Sequence, residues 1–119
     1  MISVVILGSG NVASHLTRAF LKADDINLVQ VYSRSIENIS YLEQKTLITD
    51  DLENLKDADV YIISITDDAI ADFSEKLHLK GKLVVHTSGS VSINALKGNY
   101  DKGVFYPLQT FTKGTKIKF

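Results

Sequence analysis

The chain has 119 residues, 45% of them hydrophobic and 23% charged, with a net charge of −1 and no cysteine. This length predicts one domain with a sizeable core, and that apolar content at so small a net charge excludes intrinsic disorder. Disulfides, thiolate metal sites and cysteine nucleophiles are excluded, and the balanced charge leaves no basic footprint for nucleic acid.

Apolar runs of strand length alternate along the chain with segments of helical periodicity. Strand 2–7 comes first, with no signal peptide expected ahead of it, and leads into helix 11–22, whose apolar stripe is Val12, Leu16, Ala19 and Phe20. Strand 27–33 precedes helix 36–44, which carries Ile39 and Leu42. Strand 45–48 precedes a short helix 50–57, with Leu52 and Leu55 inward and Asp50 or Asp51 as N-cap. Strand 59–65 precedes helix 67–77, with Ile70, Phe73 and Leu77 at helical spacing. Strand 82–87 precedes helix 91–97, stopped by Gly98, and strand 102–106 ends at Pro107, the sole proline, which cannot donate to a ladder.

Val4-Val5-Ile6-Leu7, Val60-Tyr61-Ile62-Ile63 and Leu83-Val84-Val85 are continuous apolar runs, as in strands covered on both faces. The whole pattern predicts an α/β fold: a doubly wound, mainly parallel sheet of order 3-2-1-4-5-6 with right-handed crossovers. No run approaches the roughly 20 apolar residues of a membrane-spanning helix, so no membrane partner is expected and the location is read as cytoplasmic. Histidines at 15, 78 and 86 are too few for a histidine cage, and no metal is expected.

The strongest chemical signal is Gly8-Ser9-Gly10-Asn11-Val12-Ala13, a GxGxxA pattern directly after a hydrophobic strand and opening an amphipathic helix. Gly8 permits the tight turn, Gly10 lets a pyrophosphate approach the backbone, and Ala13 keeps helix and strand close. The amides at the helix start then receive the phosphate charge, giving Gly8, Ser9, Gly10, Asn11 and Val12 as dinucleotide-binding positions in a Rossmann-type domain. The second strand ends Val31-Tyr32-Ser33-Arg34-Ser35, with no carboxylate before Glu37. Arg34 can pair with a 2′-phosphate, with Ser33 and Ser35 adding hydroxyls, so NADP is favoured over NAD.

Two more loops fall at carboxyl ends of strands, the edge where open α/β sheets bind ligands. In Ser64-Ile65-Thr66-Asp67-Asp68, Thr66 or Asp67 is placed to cap the next helix, and backbone contacts from this loop to a cofactor are compatible with capping. In His86-Thr87-Ser88-Gly89-Ser90, His86 is a candidate proton donor and Thr87 and Ser88 lie beside it; the bland alternative is a strand-end histidine satisfied by backbone. Tyr106, Gln109 and Thr110 are placed on the same edge.

With GSGNVASHLTRAF, YSRS, ISITDDAI, HTSGSVSINAL and GVFYPLQTFTKG together, the chain resembles the N-terminal domain of a family of NADP-dependent oxidoreductases. Full-length members of that family pair a Rossmann-like domain with an uncharacterised helical C-terminal domain. The chain is more broadly similar to the cofactor domains of pyrroline-5-carboxylate reductase, the deazaflavin-dependent NADP reductases and 6-phosphogluconate dehydrogenases. The resemblance implies NADP(H) as cofactor. It also implies phosphate contacts at Gly8, Gly10, Asn11 and Val12, adenosine-phosphate contacts at Ser33, Arg34 and Ser35, and a nicotinamide-side wall at Ile65, Thr66, His86, Thr87 and Ser88.

Residues 1–119 are then read as a cofactor domain whose helical substrate and dimerisation domain is absent. Hydride transfer to or from a small carbonyl, imine or hydroxy substrate is expected of the full-length enzyme, with His86 and Ser88 as its catalytic candidates, and no turnover of the fragment. The rival readings are a non-catalytic dinucleotide-binding sensor and a different phosphate-bearing ligand. Self-association into a homo-oligomer is expected through Phe105, Leu108 and Phe111.

Overall fold

The computed structural model describes residues 1–105. Its strands are β1 (Ile2–Leu7), β2 (Ile26–Tyr32), β3 (Leu47–Thr49), β4 (Val60–Ile63), β5 (Leu83–His86) and β6 (Asp101–Val104). All pair in parallel as one six-stranded sheet in the order β3-β2-β1-β4-β5-β6, the order read from the alternation of strands and crossovers. The continuous apolar runs are the inner strands, and Val5, Ile6, Leu7, Ile63 and Val84 are wholly buried. Along β1, alternate residues feed two separate cores. Val4 and Ile6 join Ala13, Leu16, Phe20, Ile39 and Leu42 on one face, while Val5 and Leu7 join Tyr61, Ile63, Ile70, Leu77 and Leu96 on the other. The sheet is thus covered on both faces, and its strand ends converge along one edge.

Helix α1 (Asn11–Lys22) has the predicted bounds but turns differently about its axis. Its buried positions are Ala13, Leu16, Thr17 and Phe20; Val12 and Ala19 are only half-buried. Thr17 is accommodated because its hydroxyl donates to the Ala13 carbonyl at 2.8 Å.

The other four predicted helices are shorter than their periodicity suggested. Segment 36–44 is a 3₁₀ helix at Ile36–Leu42, rich in β-branched and small polar residues that favour helix weakly. Segment 67–77 is a 3₁₀ turn at Asp67–Ala69 followed by α2 (Ile70–Glu75). Segments 50–57 and 91–97 keep single 3₁₀ turns at Leu52–Asn54 and Ile93–Ala95.

Distant side chains take the backbone groups that a longer helix would use. Gln30, buried in β2, donates to the Asn54 carbonyl at 3.0 Å and accepts from the Lys56 N–H at 2.8 Å. Asp51, one of the two cap candidates, accepts from the Glu53 N–H at 2.9 Å. In the last crossover the Lys97 N–H goes to the hydroxyl of buried Ser74 at 2.9 Å.

At the opposite edge of the sheet the Ser3 N–H donates to the Asp59 carboxylate and the Asp59 N–H to the Ser3 hydroxyl, each at 2.9 Å. No described helix is long and apolar enough to cross a membrane. Tyr106, Leu108, Gln109, Thr110 and Phe111 lie outside the described residues; Phe105 is half-buried against the α1-side core.

Gln30→Ala leaves the Asn54 carbonyl and the Lys56 N–H without their partner and should cost about 2 kcal/mol in urea unfolding. Hydrogen bonds with Ser3 hold the Asp59 carboxyl below its usual value of 3.8. That contribution is complete above pH 3.8 and is lost as the pH falls through the lowered value, so Asp59→Asn should flatten the acid limb of stability in that range.

Candidate functional site

Backbone hydrogen bonds carry the ladder one residue past each central strand. The Gly8 N–H donates to the Tyr32 carbonyl at 2.8 Å, the Ser33 N–H to Thr49 at 3.1 Å, and the Ser64 N–H to Leu7 at 2.9 Å. Gly8, Ser33 and Ser64 therefore stand level at the carboxyl edge, where β1 passes to its neighbours on either side. Gly8 has φ 141°, and a Cβ there would fall onto the Ser64 carbonyl oxygen. The glycine is required by the chain itself, because β1 and β4 close against each other at this point.

Gly10 is the opposite case. Its φ is −74°, which any residue adopts, and a Cβ there would meet nothing within 4 Å. No packing within the described chain demands a glycine. The open space lies at the N-terminus of α1, which has no side-chain cap and no acidic residue in its first turn; the first internal bond runs from the Ser14 N–H to the Gly10 carbonyl at 2.9 Å. Such an end presents amides and the positive pole of a helix of 12 residues to an incoming anion. The uncapped amides and the open space beside Gly10 are what a pyrophosphate at this turn would need.

At the end of β2 the three expected residues divide their work. Ser33 is buried; its hydroxyl donates to Ser9 Oγ at 3.0 Å and accepts the Ser35 N–H at 3.2 Å. It ties the glycine turn to the β2 loop, instead of reaching outward as a free phosphate donor. Arg34 and Ser35 are exposed, and Arg34 makes no ion pair among the described residues.

Sequence reading looked for carboxylates only on β2 itself. The sheet brings Asp50 and Asp51, at the end of β3, into the same electrostatic environment. Burial raises the Tyr32 hydroxyl pKa, with Arg34 opposing and Asp50 and Asp51 adding to the rise. The signal lay in strand order, since β3 neighbours β2.

The loops after β4 and β5 are joined. Thr66 is exposed and takes the N-cap position as expected but makes no side-chain cap hydrogen bond, while Asp67 accepts a 2.7 Å hydrogen bond from Ser90 Oγ. Hydroxyls of Ser90 and Ser88 hold the Asp67 carboxyl below the usual aspartate range. Ile65 is half-buried, and the Thr87 hydroxyl donates to Ser64 Oγ at 3.3 Å.

His86 has a different part from the expected proton donor. It is wholly buried; Nδ1 accepts the Ser88 N–H at 3.1 Å, leaving Nε2 to donate to the Ser92 carbonyl at 3.3 Å. Neither ring nitrogen is open to a substrate, so the imidazole is a strut across the loop. Ser88 is half-buried, with its hydroxyl 3.2 Å from that of Ser90. Among the described residues no group of three or more His, Asp or Glu could hold a metal ion.

A family model described as "NADP oxidoreductase coenzyme F420-dependent" matches residues 3–89. Among solved structures, a protein described as an NADP oxidoreductase from Bacteroides fragilis is 37% identical with a TM-score of 0.77, covering 93% of this chain and 46% of its own. An imine reductase from a Pseudomonas species is 26% identical with a TM-score of 0.62, covering 79% of this chain and 34% of its own. Biliverdin reductase from Synechocystis, solved with biliverdin and NADP⁺, shares the fold at 19% identity and a TM-score of 0.62, covering 80% of this chain and 32% of its own. The chain thus spans about half or less of the length of these relatives. No curated protein matches it.

The two glycines should separate in experiment. Gly8→Ala should cost at least about 3 kcal/mol in denaturant unfolding, because strain and a backbone clash coincide. Gly10→Ala should unfold within about 1 kcal/mol of the parent, yet weaken nicotinamide dinucleotide binding in a fluorescence titration.

Proposed function

Because the chain belongs to the family of coenzyme F420-dependent NADP oxidoreductases, we propose that it is the cofactor-holding part of an oxidoreductase that takes NADP(H). The reaction proposed is hydride transfer to or from a small carbonyl, imine or hydroxy compound. The observation that carries this reading is Gly10: a glycine that the chain's own packing does not need, at the uncapped start of α1.

Each half of the site has its own work. The amides of the Gly8–Val12 turn and the α1 dipole neutralise the pyrophosphate. Ser33 fixes that turn against β2, which leaves Arg34 and the Ser35 hydroxyl to hold a 2′-phosphate.

Ile65, Thr66, Thr87 and Ser88 are the proposed wall of the half over β4 and β5. When bound, the nicotinamide supplies the hydride chemistry. Since both His86 nitrogens are engaged, Ser88, whose N–H His86 fixes, is the residue proposed to meet a substrate oxygen or nitrogen, its hydroxyl turning from Ser90 to donate there.

A small-molecule substrate and a second copy of the chain are the proposed partners, in a cytoplasmic setting that the lack of cysteine suits. Sedimentation at several concentrations checks the second copy; a monomer throughout removes it.

Titration with NADPH and NADH tests the cofactor reading directly. Arg34→Ala should weaken NADPH by about tenfold and NADH far less. Equal loss for the two removes the 2′-phosphate assignment, and binding of neither dinucleotide by the parent chain removes the cofactor reading.

A further inference from the structure

The segment from His86 to Ser92 is fixed at its base and at its tip by different means. The base is closed by the buried His86 ring, between the Ser88 N–H and the Ser92 carbonyl. The tip, exposed at Gly89 and Ser90, is held from the 3₁₀ turn that follows β4: Ser90 Oγ donates to Asp67 Oδ2 at 2.7 Å, a charge-assisted bond spanning 23 residues of chain. Ser90 in turn meets Ser88 through a hydroxyl–hydroxyl contact and an N–H donated to Ser88 Oγ, both at 3.2 Å.

Asp67 is not spent on its own helical turn, which is closed by backbone, from the Ala69 N–H to the Thr66 carbonyl at 3.0 Å. Its carboxylate serves the neighbouring loop.

The place of this link in the sheet matters. β2, with Arg34, lies on one side of β1, and β4 and β5 lie on the other. A dinucleotide with its adenosine end at Arg34 and its pyrophosphate over Gly10 must extend its other half across the β4 and β5 ends. We propose that Asp67 is a positioning residue that, through Ser90, pins the 87–91 loop as the wall of the dinucleotide site on that side. The inference rests on the cofactor reading above. Asp67 acts through the loop and touches no reacting atom.

Two ligands differing only in that half provide the test: NADPH, and 2′-phospho-ADP-ribose, which lacks the nicotinamide ring. Asp67→Ala and Ser90→Ala should each raise the NADPH dissociation constant about three- to tenfold while changing that of 2′-phospho-ADP-ribose by less than about twofold. Asp67→Asn, whose amide oxygen still accepts from Ser90, should bind NADPH nearly as the parent does. The double Ala variant should bind no more weakly than Asp67→Ala alone, because the Ser90 link is already absent there. Hydrogen exchange of the Asp67→Ala variant should accelerate at 88–91 and not in β1 or β4.

Unchanged NADPH binding in both Ala variants overturns the proposal, as does equal weakening of both ligands. In either case a parent chain that binds both ligands leaves the cofactor reading standing. A parent chain that binds neither overturns the cofactor reading and the wall together.

Discussion

The close approach of β1 and β4 at their carboxyl ends organises the rest of the molecule. Gly8 sits where a side chain would strike the Ser64 carbonyl, and the Ser64 N–H returns a hydrogen bond to Leu7. That contact fixes the height at which the chain leaves β1, hence where α1 begins and which way its first amides point. It also lies at the switch point of the sheet, since the crossovers from β1 to β2 and from β3 to β4 run over opposite faces. A crevice at such a point follows from topology, and the glycine turn decides that it is lined by backbone donors.

Two kinds of glycine in one short motif illustrate how structure separates stability from binding. Gly8 answers a demand internal to the protein, a positive φ and a steric limit. Gly10 answers none that the chain makes, and the space beside it is the clearest sign of a ligand-shaped requirement. Around this turn the polar side chains mostly bond to each other: Ser33 with Ser9, Thr87 with Ser64, Ser90 with Asp67. The edge is consequently preorganised, which lowers the entropy lost when a ligand is enclosed.

The inner strands were legible because they are buried on both faces, which leaves continuous apolar runs, and the bounds of α1 because the glycine turn before it and its helical periodicity are local. The later crossovers were not. Their periodicity is helical, yet Gln30 and Ser74 draw backbone groups at Asn54, Lys56, Ala95 and Lys97 into side-chain hydrogen bonds across 21 to 26 residues. His86 was visible as a polar residue at a strand end, but its two partners depend on how 88–92 folds back over it. A catalytic imidazole and a structural one have the same one-letter signal.

Local sequence therefore determined the order of elements, the sheet class and the position of the glycine turn that opens α1. Each follows from burial, periodicity or the conformational freedom of particular residues within a few positions. Tertiary structure alone decided that Asp50 and Asp51 act with Arg34 on the Tyr32 hydroxyl, that Asp67 serves the loop after β5, and that His86 is enclosed. These pairings join strand ends far apart in the chain, and it is the parallel sheet that sets them side by side, at the hydrogen-bonding spacing of about 4.8 Å between neighbouring strands.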